Sequence, residues 1–226
     1  MSAPADKRDL LVLVADRNME MAVRGVLARE KSLGIRQVIA DVRRHPEHDS
    51  GCRQAGAEFL NVFVGQYAHA LLMLDRKGCG QEESLAVDIE SELEMALAST
   101  GWADRAAAIV LDPELEIWVW NDSPHVEKEL GWSGRQPDLQ TWLFQRDFLQ
   151  PGQIKPARPK EALEAALRQV GRSKSSALFA GLARKVSLKK CEDRAFVKLR
   201  TTLRDWFPAG AIGAQGSMDF PKRPKE

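Results

Sequence analysis

Acidic residues follow three apolar segments of the sequence, and their oxygens are the clearest candidates for metal chemistry. Asp16 comes directly after the run LLVLVA, and Asp75 comes directly after ALLML. A third run, AAAIVL, leads into Asp112, Glu114 and Glu116. Mg²⁺ prefers oxygen ligands, and bound Mg²⁺ can activate water and stabilise the leaving oxygen of a phosphodiester. If these carboxylates converge in the fold, they predict a Mg²⁺ site.

The residues after Asp75 place positive charge and open backbone beside this acid. Arg76 and Lys77 follow at once, and together with Arg17 they are candidates to neutralise a phosphate. A Gly-Cys-Gly turn comes next instead of a helix. The alternative interpretation is that acids after strands only cap helices. That alternative is strong for Asp112, which precedes a proline, and weaker for Asp75.

Four short apolar segments predict the strands that carry these acids. We expect the strands to end at Ala15, near Val42, at Leu74 and at Leu111. Short apolar runs are typical of parallel strands buried on both faces, and segments with helical spacing alternate with them. The carboxyl ends of parallel strands meet at one edge, where ligands bind. The predicted fold class is therefore α/β, with a mostly parallel sheet, flanking helices and a helical C-terminal extension.

Local patterns set further expectations for the elements around the sheet. Asn18 is the expected cap of the first helix, and residues 35–42 are expected to form the second strand. A helix should begin near Cys52, and another should cover residues 82–100 with Leu85 in its apolar line.

The loop between the second strand and the following helix holds a second polar cluster. His45, Glu47, His48 and Asp49 lie within five residues. Imidazoles and carboxylates at such spacing can bind a metal, but a polar loop is the commoner outcome. Asp49 is also a candidate cap for the helix that follows.

The chain divides into segments of different composition. We expect an α/β domain over residues 8–132, a connection rich in Pro and Gln over 133–158, and a basic helical extension over 159–208. Residues 209–226 hold few large apolar groups and are predicted to form a flexible tail.

Charge separates an acidic middle from a basic C-terminal third. Residues 75–130 contain 14 Asp and Glu against 4 Lys and Arg, whereas residues 151–207 contain 14 Lys and Arg against 5 Asp and Glu. The basic residues interleave with apolar ones at helical spacing, so they form a face that contacts nucleic-acid phosphates or covers the acidic middle. The candidate nucleic-acid contacts are Arg76, Lys185, Lys189, Lys190, Arg194 and Lys198.

Composition excludes several classes of protein. The 226 residues hold no apolar run near the roughly 20 residues of a membrane helix, and the first residues lack the apolar core of a signal peptide. Three widely spaced cysteines predict neither a zinc site nor a disulfide framework. No phosphate-binding or dinucleotide-binding glycine pattern, serine-hydrolase elbow or zinc-protease pattern occurs. We expect a cytoplasmic protein without a membrane partner.

Three segments of the chain resemble a known family. LLVLVADRNMEMAVRGVL, HALLMLDRKGCG and PELEIWVW are similar to sequences of the small Toprim-like proteins of bacterial phage-defence systems, including methylation-associated ones. The resemblance covers residues 8–132 and implies a Toprim-like domain. In Toprim domains a Glu after the first strand and an Asp-x-Asp after the third bind Mg²⁺ for cutting or joining nucleic-acid strands.

The resemblance assigns roles to particular residues. The first-strand acid falls near Ala15 or Asp16, so Asp stands in place of Glu. The Asp-x-Asp falls on residues 75–77, where Asp75 matches and Lys77 stands in place of the second Asp. Glu116 begins a Glu-x-Trp pattern found in compact Toprim-like proteins. The implied metal ligands are Asp16, Asp75 and Glu116.

Two functions are expected from these residues. The first is a Mg²⁺-dependent, nuclease-like component of an anti-phage defence system, which acts on DNA or RNA together with other defence proteins. Asp75, Lys77 and Glu116 would be its catalytic residues, and Arg76 would bind phosphate with Lys77. The alternative is a catalytically inactive Toprim-like module that binds partner proteins or nucleic acid. In that case Lys77 would replace the charge of the cation and form an ion pair with Asp75.

Overall fold

The computed structural model describes residues 7–188 and 191–209. In this part of the chain, four parallel strands form one sheet in the order β2-β1-β3-β4. The strands are β1 (Arg8–Val14), β2 (Ala40–Arg44), β3 (Tyr67–Asp75) and β4 (Ala106–Leu111). The predicted α/β class with a parallel sheet is confirmed, and the architecture is consistent with a Toprim-like fold. Each strand ends within two residues of its predicted position.

Helices flank the sheet and continue to the C-terminal part of the described chain. Their bounds are α1 (Arg17–Leu27), α2 (Glu30–Leu33), α3 (His48–Asn61), α4 (Ala86–Leu97), α5 (Pro124–Leu130), α6 (Leu139–Gln145), α7 (Pro159–Gln169), α8 (Ser176–Lys185) and α9 (Arg194–Trp206). Helix α3 packs on β1 and β3, and both α4 and α9 pack on β4. A 3₁₀ turn, Leu115–Trp118, follows β4.

Strand β3 lies in the centre of the core, and its register sets the position of the acids. Residues 70–74 are fully buried, as expected for a strand covered on both faces. Met73 pairs with Val14, and Asp75 pairs with Leu111. The acids that follow β1, β3 and β4 therefore lie at the same carboxyl edge of the sheet.

Some local expectations were wrong, and each has a physical reason. Helix α1 is capped by Asp16 and not by Asn18, because Asp16 Oδ1 accepts the Met19 amide at 2.8 Å. The second strand begins at Ala40, since Ile35 instead forms an isolated antiparallel bridge to Pro208. Leu85 precedes α4 and is 66% exposed, so it does not belong to the apolar line of that helix.

The C-terminal helices pack directly on the α/β part. Helix α8 lies so close to α1 that a Cβ at Gly25 would come within 2.7 Å of the Ala183 Cβ. The segment over residues 133–158, predicted as a connection, contains helix α6. In the described residues, no helix is long and apolar enough to cross a membrane.

Candidate functional site

A cavity of about 260 Å³ lies at the carboxyl edge of the sheet. We call it the carboxylate pocket, because five carboxylates and three lysines are the charged groups of its lining. These are Asp16, Asp49, Asp75, Glu114 and Glu116, with Lys77, Lys160 and Lys174. The structure therefore brings together Asp16, Asp75 and Glu116, the three metal ligands predicted from the sequence.

Asp75 is the acid of the carboxylate pocket with a buried oxygen atom that lacks a partner within the described part of the chain. It is the last residue of β3, and its Oδ1 atom is buried without a hydrogen-bond partner among the described residues. Burial raises its pKa well above the ordinary value, and the negative charges of Asp49, Glu116 and Asp16 raise it further, while a hydrogen bond from the Leu115 N–H opposes them. A buried acceptor without a partner is costly, so this side chain is poised to receive a cation or a proton.

Asp49 is a pocket residue that the sequence places in the polar loop and not in the site with Asp75. It lies in the first turn of α3, and its Oδ1 accepts the backbone N–H of Asp75 at 2.8 Å. Burial raises the pKa of Asp49, although the hydrogen bond from Asp75 opposes this effect. The predicted role of Asp49 as a helix cap is wrong, because α3 begins at His48 and Glu47 is the N-cap residue.

The polar loop does not place its imidazoles in the carboxylate pocket. His45 is buried, its ring centroid lies 5.5 Å from that of Phe59, and its Nδ1 accepts the Glu47 amide. Of the four polar residues in this loop, Asp49 lines the pocket. The fold therefore does not bring these four loop residues together as a metal site.

Glu114 and Glu116 enter the pocket from the segment after β4. Glu114 Oε1 accepts the backbone N–H of Lys160 at 3.2 Å, and burial followed by the charge of Glu116 raises the pKa of Glu114. Glu116 Oε1 accepts from Lys174 Nζ at 3.0 Å. Both acids are almost fully buried, so the turn after β4 fixes their positions.

The expected ion pair between Lys77 and Asp75 is wrong. Lys77 Nζ lies 3.1 Å from Glu161 and 3.6 Å from Glu114, and the hydrogen bond to Glu161 raises its pKa. Because Lys77 is drawn towards α7 and the turn after β4, the Asp75 carboxylate stays without a cationic partner among the described residues.

A second lysine reaches the pocket from the loop between α7 and α8. Lys174 Nζ lies 3.0 Å from Glu116 and 3.4 Å from Glu164. Burial alone would lower the pKa of Lys174, but the charges of Glu116 and Glu164 outweigh it, and the pKa is raised. The C-terminal helical part thus supplies charge to a site that we expected to lie within residues 8–132.

Arg76 does not line the carboxylate pocket. Its Nε donates to Asp112 Oδ1 at 2.8 Å, and its guanidinium also contacts the backbone oxygen of Glu82. This arrangement gives Asp112 a partner outside the pocket, so phosphate binding by Arg76 would require it to leave Asp112.

The predicted basic face makes contacts inside the molecule. Arg194 and Lys198 form ion pairs with Glu90 at 2.8 and 3.0 Å, and Lys198 also lies 2.8 Å from Glu94. Lys185 pairs with Glu129. These contacts fit the alternative in which the basic third covers the acidic middle. Lys189 and Lys190 lie outside the described residues, and nucleic-acid binding by this face stays a prediction.

A larger cavity of about 1060 Å³ lies beside α1 and α8 and is lined mainly by apolar and aromatic side chains. Asp16, Asp75 and Glu116 line the smaller cavity and not this one. Trp120, considered as a base-stacking residue, is buried, and its Nε1 donates to the Pro159 oxygen at 3.0 Å. Size alone therefore does not identify the site, and the chemistry points to the carboxylate pocket.

The donor chemistry of the pocket fits Mg²⁺, although the ligands are not assembled. Within residues 7–188 and 191–209, no three or more His, Cys, Asp or Glu side chains form a group that could hold a metal ion as they stand. All the acidic donors are hard oxygens, as Mg²⁺ requires, and Asp75 Oδ1 is buried without a partner. Binding would require Lys174 to share Glu116.

Comparisons with protein-family models, curated proteins and solved structures found no match to this chain. The fold and the geometry of the pocket therefore carry the functional argument.

Proposed function

We propose that this protein is a Mg²⁺-dependent, nuclease-like enzyme that acts on nucleic-acid phosphodiesters. One observation carries the proposal: Asp75 Oδ1 is buried without a partner among carboxylates that three different strand ends and α3 bring together. Perturbed acids in a cleft are typical of functional sites, because structural carboxylates are normally paired.

The charge of the pocket supports a divalent cation. Its five carboxylates exceed its three ammonium groups by two, and one Mg²⁺ would balance that excess. Without a cation, burial raises the pKa of Asp75, and repulsion by the neighbouring carboxylates raises it further. A bound cation would therefore stabilise the ionised carboxylates that the fold already holds close together.

Each residue has a role in this proposal. Asp75 would be the main ligand, with Asp16 and Glu116 as its supports, and Asp49 would position Asp75 through its backbone N–H. Bound Mg²⁺ supplies an activated water and stabilisation of the leaving oxygen. Lys77 would bind a phosphate oxygen after release from Glu161, which is itself partly exposed.

The biological setting of the proposal comes from the Toprim-like resemblance of residues 8–132. We place the enzyme in an anti-phage defence system, where it would act on DNA or RNA together with other defence proteins. Loss of phage protection on Asp75→Asn substitution, at unchanged protein abundance, would support this setting. Full protection by that variant would contradict a catalytic role in defence.

Magnesium titration by calorimetry tests the proposal directly. We expect the wild type to bind Mg²⁺ and Asp75→Asn to lose binding, because the substitution removes the central negative charge. Asp205→Asn, an exposed position on α9, is the matched control and should bind like the wild type. Absence of Mg²⁺ binding by the wild type would remove the mechanism.

A second candidate function has its own supporting observation. Lys77 and Lys174 already neutralise Glu114 and Glu116, as fixed cations would in an inactive module that binds nucleic acid or partner proteins. This function predicts oligonucleotide or partner binding that is unchanged by EDTA. Strand cleavage that requires Mg²⁺ and Asp75 would rule it out.

A further inference from the structure

Lys160 is the lysine of the carboxylate pocket that makes no close ion pair with the described residues, although its charge opposes the rise in the pKa of Glu114. Lys77 and Lys174 each contact two carboxylates. The ammonium group of Lys160 makes no ion pair or hydrogen bond with any residue that the structure describes, and its side chain is exposed while lining the pocket. It is therefore free to bind a ligand without breaking an existing contact.

The first turn of α7 adds its helix dipole to the charge of Lys160, although Pro159 has no N–H and the Lys160 N–H is already used by Glu114. Helix α7 has 11 residues and begins at Pro159, so Lys160 belongs to its first turn. The N-terminal end of a helix carries partial positive charge and attracts anions. This turn is held in place, because the Lys160 amide donates to Glu114 Oε1 and the Pro159 oxygen accepts from Trp120 Nε1.

A negative ligand at this position would be repelled by the acids opposite unless a cation lay between them. Asp75, with its unpartnered buried oxygen, lines the same cavity, so a cation held by Asp75 and an anion held by Lys160 would meet within it. A phosphate group paired with a divalent cation has that combination of charges.

We propose that Lys160 binds a phosphate of a single nucleic-acid strand, and that the C-terminal helices thereby complete the site. This proposal rests on the proposed function and names its substrate class. It assigns phosphate binding to a residue of α7, whereas the sequence favoured α8 and α9 for contact with nucleic acid.

The size of the pocket explains the choice of a single strand. The carboxylate pocket has a volume of about 260 Å³. That volume suits one phosphate with part of its sugar, but not stacked base pairs. A flexible single strand can place one phosphodiester in such a cavity without first being unpaired.

Fluorescence anisotropy with labelled single-stranded oligonucleotides tests the role of Lys160. DNA and RNA probes of one sequence are titrated in Mg²⁺ and in EDTA, over a range of salt concentrations. The variants of the full chain are Lys160→Gln, Lys160→Arg and the control Lys31→Gln. Lys31 is an exposed residue of α2. It is close in sequence to Arg36, which pairs with Asp9 near the start of β1. This end of β1 lies at the edge of the sheet opposite to the carboxylate pocket.

We expect Lys160→Gln to weaken binding about tenfold or more, because a charge-assisted hydrogen bond is lost. The slope of log affinity against log salt should become shallower by about 0.7, the value for one phosphate of a single strand. Lys160→Arg should restore most of the affinity, and Lys31→Gln should change neither quantity. The backbone contact to Glu114 is kept in every variant, so a structural role would not produce this pattern.

Three outcomes separate Lys160 from the proposed function. Wild-type binding by Lys160→Gln, or no oligonucleotide binding by the wild type, would overturn the role of Lys160. If calorimetry shows that the wild type and Lys160→Gln both bind Mg²⁺, the proposed function remains supported even though the role of Lys160 is overturned. Oligonucleotide binding that depends on Lys160, in a protein that binds no Mg²⁺, would instead keep the role of Lys160 and remove the proposed function.

Discussion

Two clusters of acids and basic partners lie in this protein, and they differ in how fully the carboxylate oxygens are hydrogen-bonded. The first is the α4–α9 seam, formed by Glu90, Glu94, Arg194 and Lys198. Glu90 Oε1 accepts the Val110 N–H at 2.8 Å, and both of its oxygens contact Arg194. The second cluster is the carboxylate pocket, where Asp75 Oδ1 is buried without a partner.

The seam shows what these residue types do when they serve the fold. Glu94 accepts the Ala108 N–H, and Arg194 donates to the Val110 oxygen, so side chains satisfy polar groups along the edge strand β4. Covering an edge in this way prevents pairing with other chains. In the pocket, similar residue types surround a cavity, and one carboxylate oxygen, Asp75 Oδ1, is buried without a hydrogen-bond partner among the described residues.

The largest effect should come from breaking the seam. We expect Glu90→Ala to lower the free energy of unfolding by about 3 kcal/mol, near the lower end of the range for breaking a buried ion pair. The lower end applies because the partners Arg194 and Lys198 are 41% and 29% exposed and keep contact with water. Denaturant unfolding measures the change.

Glu92→Ala is the matched control for the seam, because Glu92 is an exposed residue of the same helix. It should change stability by less than about 0.5 kcal/mol. If Glu90→Ala has an equally small effect, the seam does not hold α9 on β4, and the contrast with the pocket is lost.

A substitution in the carboxylate pocket is expected to increase stability, in contrast to Glu90→Ala in the seam. In metal-free buffer at pH 7, Asp75→Asn should raise the free energy of unfolding by about 1–3 kcal/mol, because the cost of a buried oxygen that lacks a partner among the described residues is relieved. The amide of Asn can donate to the carboxylates around it, whereas the Asp75 carboxylate is repelled by Asp49 and Glu116. Thermal and denaturant unfolding measure the change.

The pH dependence of the free energy of unfolding provides a second test of this prediction. The pKa of Asp75 is raised in the folded state, mainly by burial, so its favourable contribution is fully present below the ordinary carboxyl pKa of about 4. It is lost as the pH rises through the raised pKa. Wild-type stability should fall over that window more steeply than that of Asp75→Asn. Equal slopes would mean that Asp75 has a partner that the structure does not show.

The sequence predicted the parts of the site that depend on strands. Apolar runs determine where β1, β3 and β4 end, so the sequence alone places Asp16, Asp75 and Glu116 at one edge of the sheet. The strand ends followed from local pattern and from the geometry of parallel sheets.

The partners of these acids could not be predicted in the same way. Asp49 reaches Asp75 from 26 residues upstream, and Lys174 reaches Glu116 from 58 residues downstream. Such contacts depend on how α3, α7 and α8 pack in the fold, and the spacing of residues in the sequence does not show this packing. For the same reason, Lys77 was assigned to its sequence neighbour Asp75 and not to Glu161.

The smallest effect is expected at the surface of α8, outside both clusters. Lys185 pairs with Glu129 at 2.5 Å, but its side chain is 47% exposed. Exposed ion pairs contribute little, because water and salt screen them. Lys185→Gln should therefore cost less than about 1 kcal/mol in denaturant unfolding, well below the effect of Glu90→Ala.

Lys185→Gln also decides whether the basic face predicted from the sequence contacts nucleic acid. If that face only covers the acidic middle, the salt slope of oligonucleotide binding should not change, in contrast to Lys160→Gln. A slope that becomes shallower by about 0.7 would show that Lys185 contacts a phosphate. The strand would then extend from the carboxylate pocket across α8, since neutralising one exposed lysine alters the slope only where a phosphate lies against it.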